Sequence, residues 1–357
     1  MVMQRDLAAM PPSMAANKRQ LPKTRQALGL SNEQLLRMYY QMLLARKLDE
    51  RAWQLHRQGK VAFHISGIGQ EACQVAAARA IRVGFDFVHA HYRDLALVLA
   101  MGITPQQFLL SLWGKREDTF SGGRQMPSHW SSRDLNLASL SSPVADHVPH
   151  AAGTALAEVI KRKTGLTSPD EPLRVSLVSL GEGATSMGDW HEGLNWAGIH
   201  NLPMVCLVQN NQYAISTPLR KEMSVASVAG RAAAYGMEGI AFDGNDVIES
   251  YSALKYAVDK ARAGDGPTLL EAVTYRLVPH SSDDDDRSYR DKEEVDKHWQ
   301  NDPLPRFTAY LTRQGILGQE LIEEYAEQVS HEIETALQQA VAAPFPQPED
   351  ALGAVYA

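Results

Sequence analysis

Between residues 174 and 277, short apolar runs alternate with stretches of helical periodicity. Residues 174–180 read as a strand, 187–199 as a helix, 204–209 as a second strand, 225–235 and 247–263 as helices, and 268–277 as a further strand. Strands joined by helical crossovers make a parallel sheet with helices on both faces, an α/β fold. Such sheets bind ligands beyond the carboxyl ends of their strands. The residues following 180, 209 and 277 are therefore the first place to look for chemistry.

The first of these strand ends runs into Gly181-Glu182-Gly183, and the second into Asn210-Asn211, with 26 residues (184–209) between the two motifs. Together they bring one carboxylate, side-chain amides and bare backbone carbonyls, all hard oxygen ligands of the kind magnesium prefers. The glycines let backbone approach an anion closely. The helix starting near Ser186 aims its amide dipoles at the same place. A diphosphate held through magnesium fits this site. A dinucleotide fingerprint does not, because G-x-G-x-x-G would need a glycine where Ser186 stands, and no P-loop is present.

Elsewhere the chain reads as helices and long loops. A helix opens at Ser31, with Gln34 completing a capping box, and Gly59 stops it. Another spans 70–81, and a third starts after Thr104-Pro105. Residues 117–148 are rich in Gly, Ser and Pro and show little periodicity, as functional loops do. A polar helix over 319–342 precedes a proline-bearing tail, 343–357. The expected organisation is an arm over 1–30, one α/β domain over 31–342, and the tail. With 44% hydrophobic and 22% charged residues and a net charge of −7, the chain is a globular protein without the basic face of a nucleic-acid binder. Cys73 and Cys206 form no C-x-x-C pair, which argues against zinc or disulfides and fits a reducing compartment. No run reaches the roughly 18 apolar residues of a membrane helix. The first 30 residues hold Arg5, Lys18, Arg19, Lys23 and Arg25 against Asp6 alone. They read as a polar, disordered arm, with a transit peptide as the other reading. The bacterial cytoplasm is the expected compartment, and the mitochondrial matrix the alternative.

The segment from Gly181 to Thr217 resembles the thiamine-diphosphate motif. The flanks His91-Tyr92-Arg93-Asp94, Gly123-Arg124-Gln125-Met126-Pro127, Ser141-Ser142-Pro143-Val144, Tyr275-Arg276, His280-Ser281 and Ser288-Tyr289-Arg290 are similar to those of alpha subunits of heterotetrameric 2-oxo acid dehydrogenases. The resemblance covers roughly residues 30 to 345 and implies the thiamine-diphosphate-binding fold. It implies Glu182, Asn211 and the carbonyl of Tyr213 as magnesium ligands. It gives Tyr92, Arg93, Gly181, Gly183 and Ala184 to the diphosphate, and Ser142 and Val144 to the ring end of the cofactor. Gln209 stands where some relatives carry a phosphate-binding arginine and is counted with the cofactor-binding set. His280 matches the histidine that closes over the cofactor and assists acyl transfer. The plainer readings are a helix-end carboxylate for Glu182, a surface ion pair with Asp94 for Arg93, and an ordinary loop histidine for His280. His129 and His191 have no assigned role, and His64 is placed near the substrate pocket.

Two departures from the family pattern stand out: Met187 replaces an acid, and Asp146-His147 replace a Thr-Gln pair that helps bind potassium in some branched-chain members. No potassium site is expected. The loop HSSDDDDRSYR points to branched-chain substrates over pyruvate or acetoin. The implied activity is decarboxylation of a 2-oxo acid with acylation of the lipoyl group of an acyltransferase component. The glutamate facing the aminopyrimidine lies on a beta subunit in this family, so an alpha2-beta2 enzyme is expected; a non-catalytic scaffold subunit is the reading of another class. The aspartates 283–286 read as a solvated run, and the loop 280–290 as too polar to order itself without cofactor.

Overall fold

The computed structural model describes residues 21–168 and 170–353. The chain begins with α1 (Asn32–Arg57), α2 (Glu71–Ala80), β1 (Phe87–His89), α3 (Leu95–Met101), α4 (Pro105–Leu112) and α5 (His147–Lys163). Next come β2 (Ser176–Gly181), α6 (Gly188–Ile199), β3 (Met204–Asn210), β4 (Tyr213–Ala214), β5 (Thr217–Pro218) and α7 (Leu219–Glu222). The chain continues through β6 (Glu238–Asp243), α8 (Val247–Ala263), β7 (Thr268–Val273), α9 (Lys292–Trp299), α10 (Pro303–Arg313) and α11 (Gln319–Ala342). Five strands pair in the order β1-β2-β3-β7-β6, all parallel, and β4 and β5 form a small antiparallel hairpin.

The period-two geometry of a strand splits the sheet residues between two cores. Leu177, Val205, Leu207, Ile240, Phe242 and Leu270 pack with the buried faces of α1–α4, α8, α10 and α11. Val178, Leu180, Met204, Cys206, Val208 and Leu269 pack on the other face with α5 and α6. Both faces are covered, which is why the strands read as unbroken apolar runs. Local signals set the helix ends. Ser31 and Gln34 form the expected capping box of α1, and Thr104 and Gln107 form another at α4.

Several elements differ from expectation. α3, α5, α9 and α10 were not read from the sequence, nor were β1 and β6. The helix expected over 225–235 is a 3-10 turn, Ala229–Tyr235, pressed so closely on β6 that a Cβ at Gly239 would overlap the carbonyl oxygen of Ala229. β7 ends at Val273, but the chain keeps its register past the sheet: Thr274 N donates to Asn210 O (2.9 Å) and Arg276 N to Asn211 O (3.2 Å). Packing reaches past both expected domain boundaries. Leu28 and Leu30 join the core ahead of residue 31. The tail is tied to the 115–124 segment by Lys115 Nζ to Ala343 O (2.7 Å) and Arg116 N to Pro344 O (3.0 Å). Residues 1–20 of the expected arm lie outside the described residues, as do 354–357. Among the described residues no helix is long and apolar enough to cross a membrane.

Candidate active site

A cavity of about 390 Å³ opens at the carboxyl ends of β2 and β3. Eleven of the residues singled out from the sequence line it: Tyr92, Arg93, Ser142, Val144, Gly181, Glu182, Gly183, Ala184, Asn211, Tyr213 and His280. Gln209 does not. In β3 it follows Val205 and Leu207 on the face turned to α2, and it is fully buried there. Its amide nitrogen donates to Asp94 (2.5 Å) and Ser179 (2.6 Å), and its oxygen accepts from Gln74 (2.9 Å). The side chain is spent on a buried network beneath the site, so its placement among cofactor contacts is corrected.

Glu182 leaves β2 into the cavity wall and is 1% exposed. Its Oε2 accepts from Asn211 N (3.0 Å), while Oε1 is buried without a partner. Burial, with Glu222 adding to it, pushes the Glu182 carboxyl up to about 7. A buried carboxylate oxygen left unpaired is costly unless something fills its place. Asn211 lies just before Gln212, whose φ of 75° turns the chain so that Tyr213 follows on the same wall. A carboxylate oxygen, an amide oxygen and a backbone carbonyl suit a hard cation that shares its shell with a phosphate. Among the described residues no three His, Cys, Asp or Glu side chains cluster into a metal cage. Gly183 has a reason of its own: a Cβ there would stand 2.7 Å from the Ala214 Cβ, so only glycine lets the two walls meet.

The positive side is as informative. Among the described residues the other buried arginines are paired, Arg46 with Glu71 and Asp302 and Arg290 with Asp286, and half-buried Arg262 pairs with Asp86. Arg93 and Arg276 are 2% and 0% exposed and meet no carboxylate. Arg93 donates to Ser66 O (2.5 Å) and to His280, and Arg276 to Ile215 O (2.7 Å), the Tyr289 hydroxyl (2.7 Å) and Tyr213 O (3.3 Å). Burial and the neighbouring Arg93 lower Arg276 to about 10. Two buried cations with no carboxylate in direct contact leave a place for an anion. The plainer reading of Arg93 as a surface pair with Asp94 does not survive, since Asp94 is buried and accepts from His91 N (2.7 Å) and Gln209.

His280 sits between these guanidiniums. Its Nδ1 lies 3.2 Å from Arg93 Nη2 and 3.5 Å from Arg276 Nη1. A guanidinium only donates, so Nδ1 accepts and the proton is on Nε2. Burial first, then Arg93 and Arg276, lower His280 to about 3. It is a neutral imidazole with an N–H to offer. In the loop that carries it Asp283 and Asp285 are exposed as expected, but Asp284 and Asp286 are half-buried and paired. Asp284 accepts from His280 N (2.8 Å) and the Tyr289 hydroxyl (2.5 Å), and Asp286 accepts from Arg290 (2.5 Å). Ser282 and His64 exchange two hydrogen bonds, Ser282 N to His64 O (2.9 Å) and His64 N to Ser282 Oγ (3.0 Å). These contacts give the loop polar partners of its own.

The sequence reading missed Phe63, Ile65, His91, Met126, His129, Ala214 and Ile215 on the wall. Alternation over 63–65 was the available signal: Phe63 and Ile65 face the cavity, while the side chain of His64 turns away to Asp49 (2.8 Å) and is fully buried.

Residues 39–349 match the family model described as dehydrogenase E1 component. The chain is 45% identical over 332 residues to the 2-oxoisovalerate dehydrogenase subunit alpha of Bacillus subtilis (strain 168), covering 93% of this chain and 98% of that one. It is 41% identical over 302 residues to the 3-methyl-2-oxobutanoate dehydrogenase subunit alpha of Mycobacterium tuberculosis, covering 85% and 77%. It is 34% identical over 329 residues to the pyruvate dehydrogenase E1 component subunit alpha of Bacillus cereus, covering 92% and 83%. With the family model spanning most of its length and these relatives covering 85–93% of it, the chain belongs to the dehydrogenase E1 component family.

Proposed function

We propose that this protein is the alpha subunit of a thiamine-diphosphate-dependent branched-chain 2-oxo acid dehydrogenase. It decarboxylates the 2-oxo acid and passes the acyl group to the lipoyl group of an acyltransferase component. The observation that carries this reading is one cavity lined by a carboxylate with an unpaired buried oxygen and by Arg93, with Arg276 against His280, neither arginine in a salt bridge. A magnesium diphosphate satisfies both sides at once. Glu182, Asn211 and the Tyr213 carbonyl would hold the magnesium. Arg93, Tyr92 and the backbone of Gly183 and Ala184 would hold the diphosphate, and Ser142 and Val144 the pyrimidine end.

When bound, thiamine diphosphate supplies the electron sink for decarboxylation. The chain's own residues do the rest. Arg93 and Arg276 fix the His280 ring from behind and keep its Nε2 proton available for the transfer step. An arriving anion offsets their charge and raises the basicity of His280 towards the range useful for proton transfer. Phe63, Ile65 and Met126 give the cavity an apolar side suited to an aliphatic chain. Among the residues lining the cavity Glu182 is the one carboxylate, and it faces Asn211. The carboxylate that must face the aminopyrimidine therefore comes from another chain, which favours a beta subunit and an alpha2-beta2 assembly over a non-catalytic scaffold. Calorimetric titration of the co-expressed alpha-beta enzyme with thiamine diphosphate tests the site. Binding should require magnesium and be lost in Glu182→Ala; magnesium-independent binding would overturn the ligand assignment.

A further inference from the structure

We propose that His129 is a positioning residue that fixes the hydrogen-bonding polarity of Ser142, so that the serine hydroxyl presents lone pairs to an N–H donor of the aminopyrimidine. The inference rests on the cavity being the thiamine-diphosphate site. His129 Nδ1 lies 3.1 Å from Pro127 O, and Nε2 lies 2.8 Å from Ser142 Oγ. A carbonyl oxygen can only accept, so Nδ1 carries the proton and Nε2 of the neutral ring carries a lone pair. The proton on the Nε2–Oγ line is then the serine's. A hydroxyl has one proton and two lone pairs. With its proton committed to His129, Ser142 can only accept from a ligand in the cavity that both residues line.

The backbone around the pair is held in conformations that L residues seldom adopt. Ser128, immediately before His129, has φ 65°, and Ala145, three residues after Ser142, has φ 74°. Such outliers persist only where the surroundings over-determine them, and they concentrate at ligand sites. Here two loops of irregular structure are joined at the cavity rim through the His129–Ser142 contact. Without the imidazole the hydroxyl would rotate freely and would offer its own proton to a group that is itself a donor.

The test is a double-mutant cycle on the co-expressed alpha-beta enzyme, with the dissociation constant of thiamine diphosphate in saturating magnesium read by calorimetry and assembly checked by gel filtration. His129→Met keeps bulk and removes the acceptor; His129→Gln keeps an acceptor oxygen. Losing one buried hydrogen bond, His129→Met should weaken binding about tenfold. His129→Gln should stay within about threefold of wild type, and Ser142→Ala combined with His129→Met should bind no worse than Ser142→Ala alone. Losses that multiply in the double variant, or unchanged binding in His129→Met, would overturn the inference. Should His129→Met fail to assemble, His129→Gln in the Ser142→Ala background decides: no further change supports the coupling, and a further loss beyond about threefold refutes it. Wild-type enzyme that binds no thiamine diphosphate would instead overturn the cofactor reading, and this inference with it.

Discussion

Glu182→Gln should make the cofactor-free protein more stable at alkaline pH while crippling its site. The carboxyl is fully buried and sits at about 7 instead of 4.5 because burial disfavours its charged form. A folded-state pKa above the unfolded value means stability that is fully present below pH 4.5 and lost as pH rises through 7. The shift is about 2.5 units (7 less 4.5), and at about 1.4 kcal/mol per unit the loss approaches roughly 3 kcal/mol by pH 8. Glutamine cannot ionise and keeps an oxygen to accept from Asn211 N, so it avoids this loss. Urea unfolding of the alpha-beta enzyme in a magnesium chelator checks it. Wild type and variant should have similar midpoints at about pH 5, and the variant a higher one at about pH 8. Saturating thiamine diphosphate and magnesium should reverse the order, since only the wild type gains the full binding energy. A variant no better, relative to wild type, at pH 8 than at pH 5 would refute the reasoning.

The same carboxyl must lose its proton to hold a metal, so affinity for magnesium thiamine diphosphate should fall towards tenfold per pH unit below about 7 and level off above it; proton release in calorimetry at pH 6 is the check. His280→Asn should lower the rate of lipoyl acylation by about a hundredfold or more while leaving cofactor affinity near wild type, measured by single-turnover kinetics with a lipoyl domain. Tyr289→Phe removes the hydroxyl shared by Asp284 and Arg276, so limited proteolysis should cut within 280–290 faster than in wild type.

What the sequence made legible follows from short-range rules. The two-face burial of β2, β3 and β7 was readable because a covered strand must be apolar throughout, the start of α1 because its capping box is local, and the start of α4 because Thr104-Pro105 precedes it. The strand-end motif located Glu182 and Asn211 because βαβ connection leaves both at one edge. The misses are mostly side-chain contacts that no local pattern announces. Gln209 was placed by its position in a motif, but the parity of β3 aims it at Gln74. Asp284 and Asp286 looked solvated because their partners Tyr289 and Arg290 lie one turn further on. β6 was invisible because Gly239 and Ala241 dilute its apolar pattern. His129 and Ser142 are 13 residues apart in a stretch without periodicity, so nothing in the spacing pairs them.

The central claim is tested most directly by carbon dioxide release from 2-oxo acids by the co-expressed alpha-beta pair. Activity should require thiamine diphosphate and magnesium and be absent from the alpha chain alone. The kcat/KM for 3-methyl-2-oxobutanoate should exceed that for pyruvate by at least about tenfold, the discrimination that an apolar pocket gains from added methyl groups. Equal or greater kcat/KM for pyruvate would contradict the branched-chain assignment, and decarboxylation by the isolated alpha chain would contradict an active site completed by a second subunit.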